Sequence, residues 1–358
     1  MIEQRDLDAA VGAGVIDAVT ATRLVDFTRD YRRGVAGPDE ESFRLLTGFN
    51  DIFVTIAVGL LLFALGALGG KVAPALGAAL VAAASWGLAE YFTRSRRMAL
   101  PSLALLLAFV GAIFGLCLAL LFPDGAGLID SDDARHEAIG FLQQRQAASF
   151  ASARFAGSAG FAALAALAHW RRFHVPITVA AGAAALAGLV LALVSAVATV
   201  VPTVFLVLTL LAGLCIFALA MSFDARDRAR VTRWSDVAFW LHLLAAPMIV
   251  HPVFALAGLL NGSPAPGAAV AVIVVYAALT VVALAIDRRA LLVSALAYVI
   301  YAIQALVTAG GALDMSLALT ALVIGGFLVL LSAAWRPIRA RVIAILPGTV
   351  TMRLPVAA

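Results

Sequence analysis

Long apolar runs alternate with short basic segments along this chain, and the runs are long enough to cross a bilayer. A hydrocarbon core about 30 Å thick takes about 20 helical residues to span. Ten runs meet that need: Ile52–Gly69, Val72–Phe92, Leu100–Phe122, Ser152–His169, Val175–Val197, Pro202–Ser222, Val237–Leu260, Gly267–Ile286, Ala290–Thr308 and Met315–Trp335. The fourth is the weakest, being short, rich in Ala and Gly, and burdened by Arg154 near its start. Apolar residues make up 63% of the 358, charged residues only 13%, and the mean hydropathy is +1.03. A water-soluble chain of this length cannot hide so much apolar surface. Collagen, disorder, a disulfide scaffold and a cytosolic enzyme are excluded. Inside lipid every backbone polar group needs a partner within the protein, so runs of this length are helices. The fold class expected is an all-α integral membrane protein of about ten transmembrane helices.

The charges set the topology. The basic residues are 24 Arg and one Lys, placed in twos to fours between the runs. A nucleic-acid-binding face would gather them into one stripe, whereas membrane topology scatters them like this. No nucleic acid is expected as a partner. With the N-terminus inside, 21 of the 25 fall on the cytoplasmic side, leaving Lys71, Arg135, Arg145 and Arg154 outside. Deleting the fourth span would carry most later Arg clusters outside, against the positive-inside rule. Ten spans with both termini cytoplasmic is the consistent arrangement. It divides the chain into a cytoplasmic helical hairpin and juxtamembrane helix (1–50), a ten-helix membrane domain (51–335) and a cytoplasmic tail (336–358). No cleavable signal peptide is read, because the first apolar run opens only at Ile52 and would serve as signal and anchor together.

In the first 50 residues, Leu7, Val11 and Val15 mark a short helix that Gly12-Ala13-Gly14 breaks. Asp17 is placed to cap a second helix with Ala21, Leu24, Phe27 and Tyr31 on one face. Gly34 to Pro38 then loosens the chain. Two roles fit the hairpin: a cap packed on itself or on the cytoplasmic loops, or a docking module (residues 1–38) for a cytoplasmic protein or the membrane surface. Basic turns recur at Arg96-Arg97, Arg171-Arg172 and Arg288-Arg289, a weak hairpin-level repeat. An inverted five-plus-five duplication finds no support in similarity between the halves. Cys117 and Cys215 both lie in apolar runs and read as two small buried hydrophobes, with a disulfide between helices the other option.

Chemistry concentrates in the seventh run, which carries His242, Pro247, His251 and Pro252. Ionisable residues inside a membrane are costly and mark functional positions by default. His251 falls near the bilayer midplane, and His242 lies roughly 13 Å nearer the cytoplasm at about 1.5 Å per residue. Nine residues put the two rings on opposite faces of an ideal helix. The prolines free the carbonyls of Leu243 and Met248, which must then face protein or a water-filled cavity. A polar site around Pro247 and His251 and a set of interhelical hydrogen bonds are the two readings of this stretch. The ninth run places Ser294, Tyr298, Tyr301, Gln304 and Thr308 at spacings that put most of them on one face. Such stripes glue helices together or line a pathway, and the seventh helix is the natural opposite wall.

Glu90, with Arg94 one turn on, reads as a helix-end ion pair; Asp51 lies near the cytoplasmic end of the first span. The external segment Asp130–Glu137 offers five potential ligands in eight residues, yet it lacks the glycine turn and closing glutamate of a calcium loop. Acidic residues favoured by a helix's first turn explain it better, and a helix from about Asp132 to Phe150 would then lie along the outer surface. His136, His169 and His174 fall at membrane edges, so no metal or haem site is expected. No P-loop, nucleotide fingerprint, nucleophile elbow, HExxH or paired-cysteine motif occurs. Neither a cofactor nor a catalytic residue is expected.

Several segments resemble a family of uncharacterised bacterial polytopic membrane proteins, a domain of unknown function. They are Gly48-Phe-Asn-Asp-Ile-Phe-Val-Thr55, Trp240-Leu-His-Leu-Leu-Ala-Ala-Pro247, His251-Pro-Val-Phe254 and Asp287-Arg-Arg-Ala-Leu291, with an N-terminal hairpin turn Gly14-Val-Ile-Asp17. The resemblance spans nearly the whole chain. It implies a bacterial inner membrane and transfers no activity. The functional expectation is a permease-like protein with a polar cavity at the seventh and ninth helices, taking a small-molecule solute and surrounded by membrane lipids. Its candidate residues are His242, Pro247, His251, Pro252, Tyr298, Tyr301 and Gln304. The alternative is a non-catalytic scaffold or sensor acting through the N-terminal hairpin, and an intramembrane enzyme with His242 or His251 as base is the weakest option.

Overall fold

The computed structural model describes residues 4–35, 49–121, 137–198, 200–228, 230, 232–258, 266–309, 316–351 and 354. Among these residues the regular structure is helical throughout, with no strand. The chain divides into two compact units, Met1–Phe43 with Val356–Ala358, and Arg44–Pro355.

The first unit contains α1 (Gln4–Gly12) and α2 (Ala18–Val35). Gly14 turns the chain between them at φ +69°, a conformation that costs glycine least. Asp17 caps α2: its carboxylate accepts the Thr20 N–H at 2.6 Å and the Thr20 hydroxyl at 3.0 Å. Those bonds favour the charged form and hold its pKa below the usual carboxylate value. Val15, Val19, Leu24 and Phe27 are exposed, and the side chain of Tyr31 lies outside the described residues.

The second unit is a bundle. Among the described residues, seven of its helices are long and apolar enough to cross a membrane, or eight if one bent pair counts as a span. The seven lie in α3 (Phe49–Val72), α4 (Pro74–Ala89, continuing through a π-helical turn at Glu90–Ser95), α5 (Ala99–Leu121), α6 (Glu137–Phe173), α7 (Ile177–Val197), α8 (Pro202–Arg226) and α9 (Arg233–Leu256). In α10 (Pro266–Ile286) and α11 (Ala290–Ala309) the apolar stretches are shorter, Val270–Ile286 and Leu291–Gln304. A bend of 72° separates α12 (Ser316–Ala333) from α13 (Trp335–Ile345), and α14 (Gly348–Thr351) follows. The weak fourth run is a membrane-length helix over Ala148–Phe173. It belongs to the continuous 37-residue α6, so the helix expected along the outer surface instead runs on into the span.

Successive helices pack as hairpins, and α9 joins them by packing on α7, α8 and α11. Half of its membrane-length stretch is buried inside the protein, against 17–33% for the other six. Three apolar clusters result. Val58, Leu62, Ala89 and Leu105 tie α3, α4 and α5; Ala180, Ile216, Ala220, Val237 and Leu241 tie α7, α8 and α9. Val250, Phe254, Ala283, Leu292, Ala295 and Trp335 tie α9 to α10, α11 and α13. Both cysteines are free thiols, Cys117 partly buried and Cys215 exposed on the outer face of α8, so neither the disulfide nor a fully buried pair is found.

The turns from α4 to α5, α6 to α7, α8 to α9 and α10 to α11 share one device. Arg97, His174, Arg230 and Asp287 all adopt positive φ of 52–56°. Left-handed residues end helices by turning the chain back on the last carbonyls. At Asp287 the Arg288 N–H returns to the Ala283 carbonyl at 3.0 Å. Around the extended Ala73, α3 and α4 approach so closely that a Cβ on Gly77 would sit 2.6 Å from the Gly66 carbonyl oxygen. Gly77→Ala is therefore expected to cost about 1–3 kcal/mol by overpacking. Gly87→Ala, with open space around it, should be neutral or slightly stabilising through helix propensity. Thermal unfolding of the two variants in detergent checks the contrast.

Candidate functional site

Helix α9 starts from a built cap. The Thr232 hydroxyl accepts the Trp234 N–H at 3.3 Å, and the Thr232 N–H and O–H donate to Asp227 Oδ2 at 2.8 and 2.6 Å. Nearly three turns on, His242 faces α8, where its Nε2 lies 2.9 Å from Asp224 Oδ2. The other carboxylate oxygen of Asp224 accepts from Arg288 Nη2 at 2.6 Å, and the same nitrogen reaches the Ser235 carbonyl at 3.3 Å. All three side chains are buried: 0% of Asp224 and His242 is exposed, and 2% of Arg288. The carboxylate thus sits between a guanidinium and an imidazole, with both oxygens engaged. His242 Nδ1 is buried without a hydrogen-bond partner among the described residues.

A second charged centre is built on Asp287. Its Oδ2 accepts from Arg230 Nη1 at 2.8 Å, its Oδ1 accepts from Trp335 Nε1 at 2.8 Å, and Arg339 Nε stands 3.6 Å from Oδ1. Arg230 Nη2 also donates to the carbonyls of Ile286 and Asp287. Burial pulls the Arg230 pKa down, the neighbouring Arg288 acts in the same direction, and Asp287 and Asp224 oppose both. Nearby, Arg228 Nε donates to the Leu354 carbonyl at 2.9 Å. The α8–α9 loop, the α10–α11 turn and the start of α13 are therefore held together by buried polar contacts.

His251 turns to the other side of α9. Its Nδ1 lies 2.7 Å from the Tyr298 hydroxyl on α11, and Tyr298 stacks on Phe254 with ring centroids 4.6 Å apart and planes 9° from parallel. His251 and Pro247 are exposed, whereas Val250 and Pro252 between and beside them are buried. The Met248 carbonyl, freed because Pro252 has no N–H, meets α8 at Gly213, where a Cβ would lie 3.0 Å from the oxygen and 2.9 Å from Met248 Cβ. At that point the broken backbone faces protein.

The candidate residues therefore divide. His251 and Tyr298 meet; His242 belongs to a separate centre on the opposite face of the helix; Gln304 is exposed further along α11. The side chain of Tyr301 lies outside the described residues, as does the acidic segment 130–137. Sequence reasoning missed Asp224, Asp287, Arg230, Arg288 and Trp335, having counted the arginines only as topological charge. The one available signal was an acid at the end of an apolar run, twice, beside arginines with no membrane reason to attract it.

His169 is likewise buried inside the bundle, ringed by Trp86, Phe109 and Phe173, with Nδ1 3.3 Å from the Thr178 hydroxyl. Glu90 pairs with Arg94 at 3.4 Å as expected, and in addition with Arg172 through two contacts of 2.6 and 2.9 Å. No group of three or more His, Cys, Asp or Glu side chains suited to a metal ion occurs among the described residues.

Removing one partner of a buried ion pair strands the other. Arg288→Met is expected to destabilise the bundle by about 3–5 kcal/mol, and Asp224→Asn combined with Arg288→Met should recover a large part of that loss. Thermal unfolding of both single variants and the double reads the coupling, and additive losses would show that the pair is not coupled. In comparison with known proteins, the chain matches no protein-family model, no curated protein and no solved structure.

Proposed function

We propose that the chain is a ten-span, permease-like protein of a bacterial plasma membrane, with both termini in the cytoplasm and a small polar solute handled where α9 meets α11. The observation that carries this is the 2.7 Å contact between His251 and Tyr298. It joins a proline-broken helix to its neighbour through two groups able to donate and accept protons. His251 Nε2 makes no hydrogen bond among the described residues, and the ring is exposed, so that edge is open to a ligand. Intramembrane ionisable groups line solute and proton routes in bundles of this class. The buried Asp224–His242–Arg288 centre, on the other face of α9, would fix the helix at its cytoplasmic end. Ten spans count α10, α11 and the bent α12–α13 pair with the seven longer helices, and the arginine distribution supports that count.

A second reading rests on a separate observation. Val15, Val19, Leu24 and Phe27 of the N-terminal hairpin are exposed together, Phe27 to 64%. Residues 1–38 would then dock a cytoplasmic protein in a scaffold or sensor. Affinity capture that is identical with and without residues 1–38 removes it.

The permease reading predicts a wet face on α9. In a chain with Cys117 and Cys215 replaced, single cysteines at Pro247 and His251 should react with a small membrane-impermeant thiol reagent. Cysteine at the buried Val250 should stay silent. If 247 and 251 are also silent while loop positions label, that face contacts lipid and the permease reading fails.

A further inference from the structure

Beyond the polar centres, the structure holds a groove of about 150 Å³ between the first two turns of α11 and the last two of α12. Leu292, Leu296, Leu328 and Leu331 line it, and Arg289 and Trp335 stand at one end. Its walls are almost wholly apolar, and it opens on the outside of the bundle. The Arg289 guanidinium lies 4.8 Å over the Trp335 ring. Every other arginine of this corner that is buried has a carboxylate partner: Arg288 has Asp224, while Arg230 and Arg339 share Asp287. Arg289 is exposed and has neither ion pair nor hydrogen bond from its side chain among the described residues.

We infer that this groove is a site for one anionic phospholipid, with the headgroup phosphate on Arg289 and an acyl chain along the leucines between α11 and α12. This rests on the membrane-spanning reading of the bundle and is independent of the permease reading. Three features select the occupant. The groove runs about 10 Å along α11 from Arg289 to Leu296 at 1.5 Å per residue, the depth of the upper part of an acyl chain. It begins at the helix end where the arginines cluster, and basic residues flank membrane spans at the headgroup level. Finally, an unpaired guanidinium over an apolar slot complements a phosphate joined to a hydrocarbon tail, and basic pockets between membrane helices recognise anionic lipids in this way. A zwitterionic lipid fills the slot equally well but brings its own cation to Arg289. A bend of 72° separates α12 from α13 at this end of the groove, where Trp335, the first residue of α13, joins the lining.

Native mass spectrometry of the full chain tests this, with phosphatidylglycerol or phosphatidylcholine of identical acyl chains added to the detergent-purified protein. The wild type is expected to retain one phosphatidylglycerol at collision energies that strip phosphatidylcholine. Arg289→Gln should lower that retention about fivefold, the worth of one arginine at an anionic headgroup, and Arg289→Lys should keep most of it. Leu296→Trp, which fills the slot while leaving Arg289 in place, should lower retention as well. Each variant is compared at matched thermal stability without lipid, so that misfolding is not read as lost binding. Equal retention of the two lipids by the wild type overturns the proposal. So does full phosphatidylglycerol retention by either Arg289→Gln or Leu296→Trp, or displacement of the lipid by millimolar inorganic phosphate.

Discussion

A carboxylate buried among membrane-length helices must be neutralised where it lies, and Asp224 imposes that condition on three parts of the chain. It sits near the end of α8 with no exposed surface, so its two oxygens recruit His242 from α9 and Arg288 from the α10–α11 turn. Unlike apolar packing, which tolerates sliding, two hydrogen-bonded contacts to one carboxylate fix both rotation and height. Helix association within lipid lacks the hydrophobic drive available in water. A centre that locks three elements at one level therefore carries more of the specificity of the bundle than its share of the surface suggests. Asp287, one residue before Arg288, extends the lock to Arg230, Trp335 and Arg339.

That lock explains why α9 can bear two internal prolines. Each removes a backbone hydrogen bond and leaves a carbonyl to be satisfied, which lipid cannot do. The helix is held at its start by Thr232 and Asp227, on one side by Asp224, and on the other by Tyr298. Gly213 on α8 then allows the Met248 segment to approach to a distance that any side chain would forbid. Pro252 and Gly213 are thus one feature written on two helices: the proline breaks the ladder, and the glycine lets the broken turn close against protein.

The helical class was legible because period and length are local properties: apolar runs of membrane length have one backbone solution in lipid. The opposite orientation of His242 and His251 was legible for the same reason, since nine residues make two and a half turns, and the structure gives the two rings partners on α8 and α11. The charged centre was not legible, because an arginine at a helix end looks the same in sequence whether it meets water, a headgroup or a buried acid. Arg288 and Arg289 are adjacent and chemically identical, yet one is spent inside the protein and the other lies bare over Trp335. Nor were the turns legible. Their left-handed residues are Arg97, His174, Arg230 and Asp287, where glycine is the usual marker.

Arginine therefore serves two purposes at this end of the bundle, and the two constrain each other. Residues such as Arg288 and Arg230 are held by buried acids and contribute little to the field felt by a membrane surface. Arg289, by contrast, is exposed over Trp335, one residue along from the buried Arg288. Asp224 and Asp287 need partners delivered by later helices, and a shift of α10 and α11 by a single span would place Arg288 on the far side of the membrane with Asp224 left bare. The level of the α10–α11 turn against α8 and α9 is thus fixed by the cost of stranding a buried carboxylate, and only an arrangement that meets Asp224 and Asp287 can close the bundle around α9.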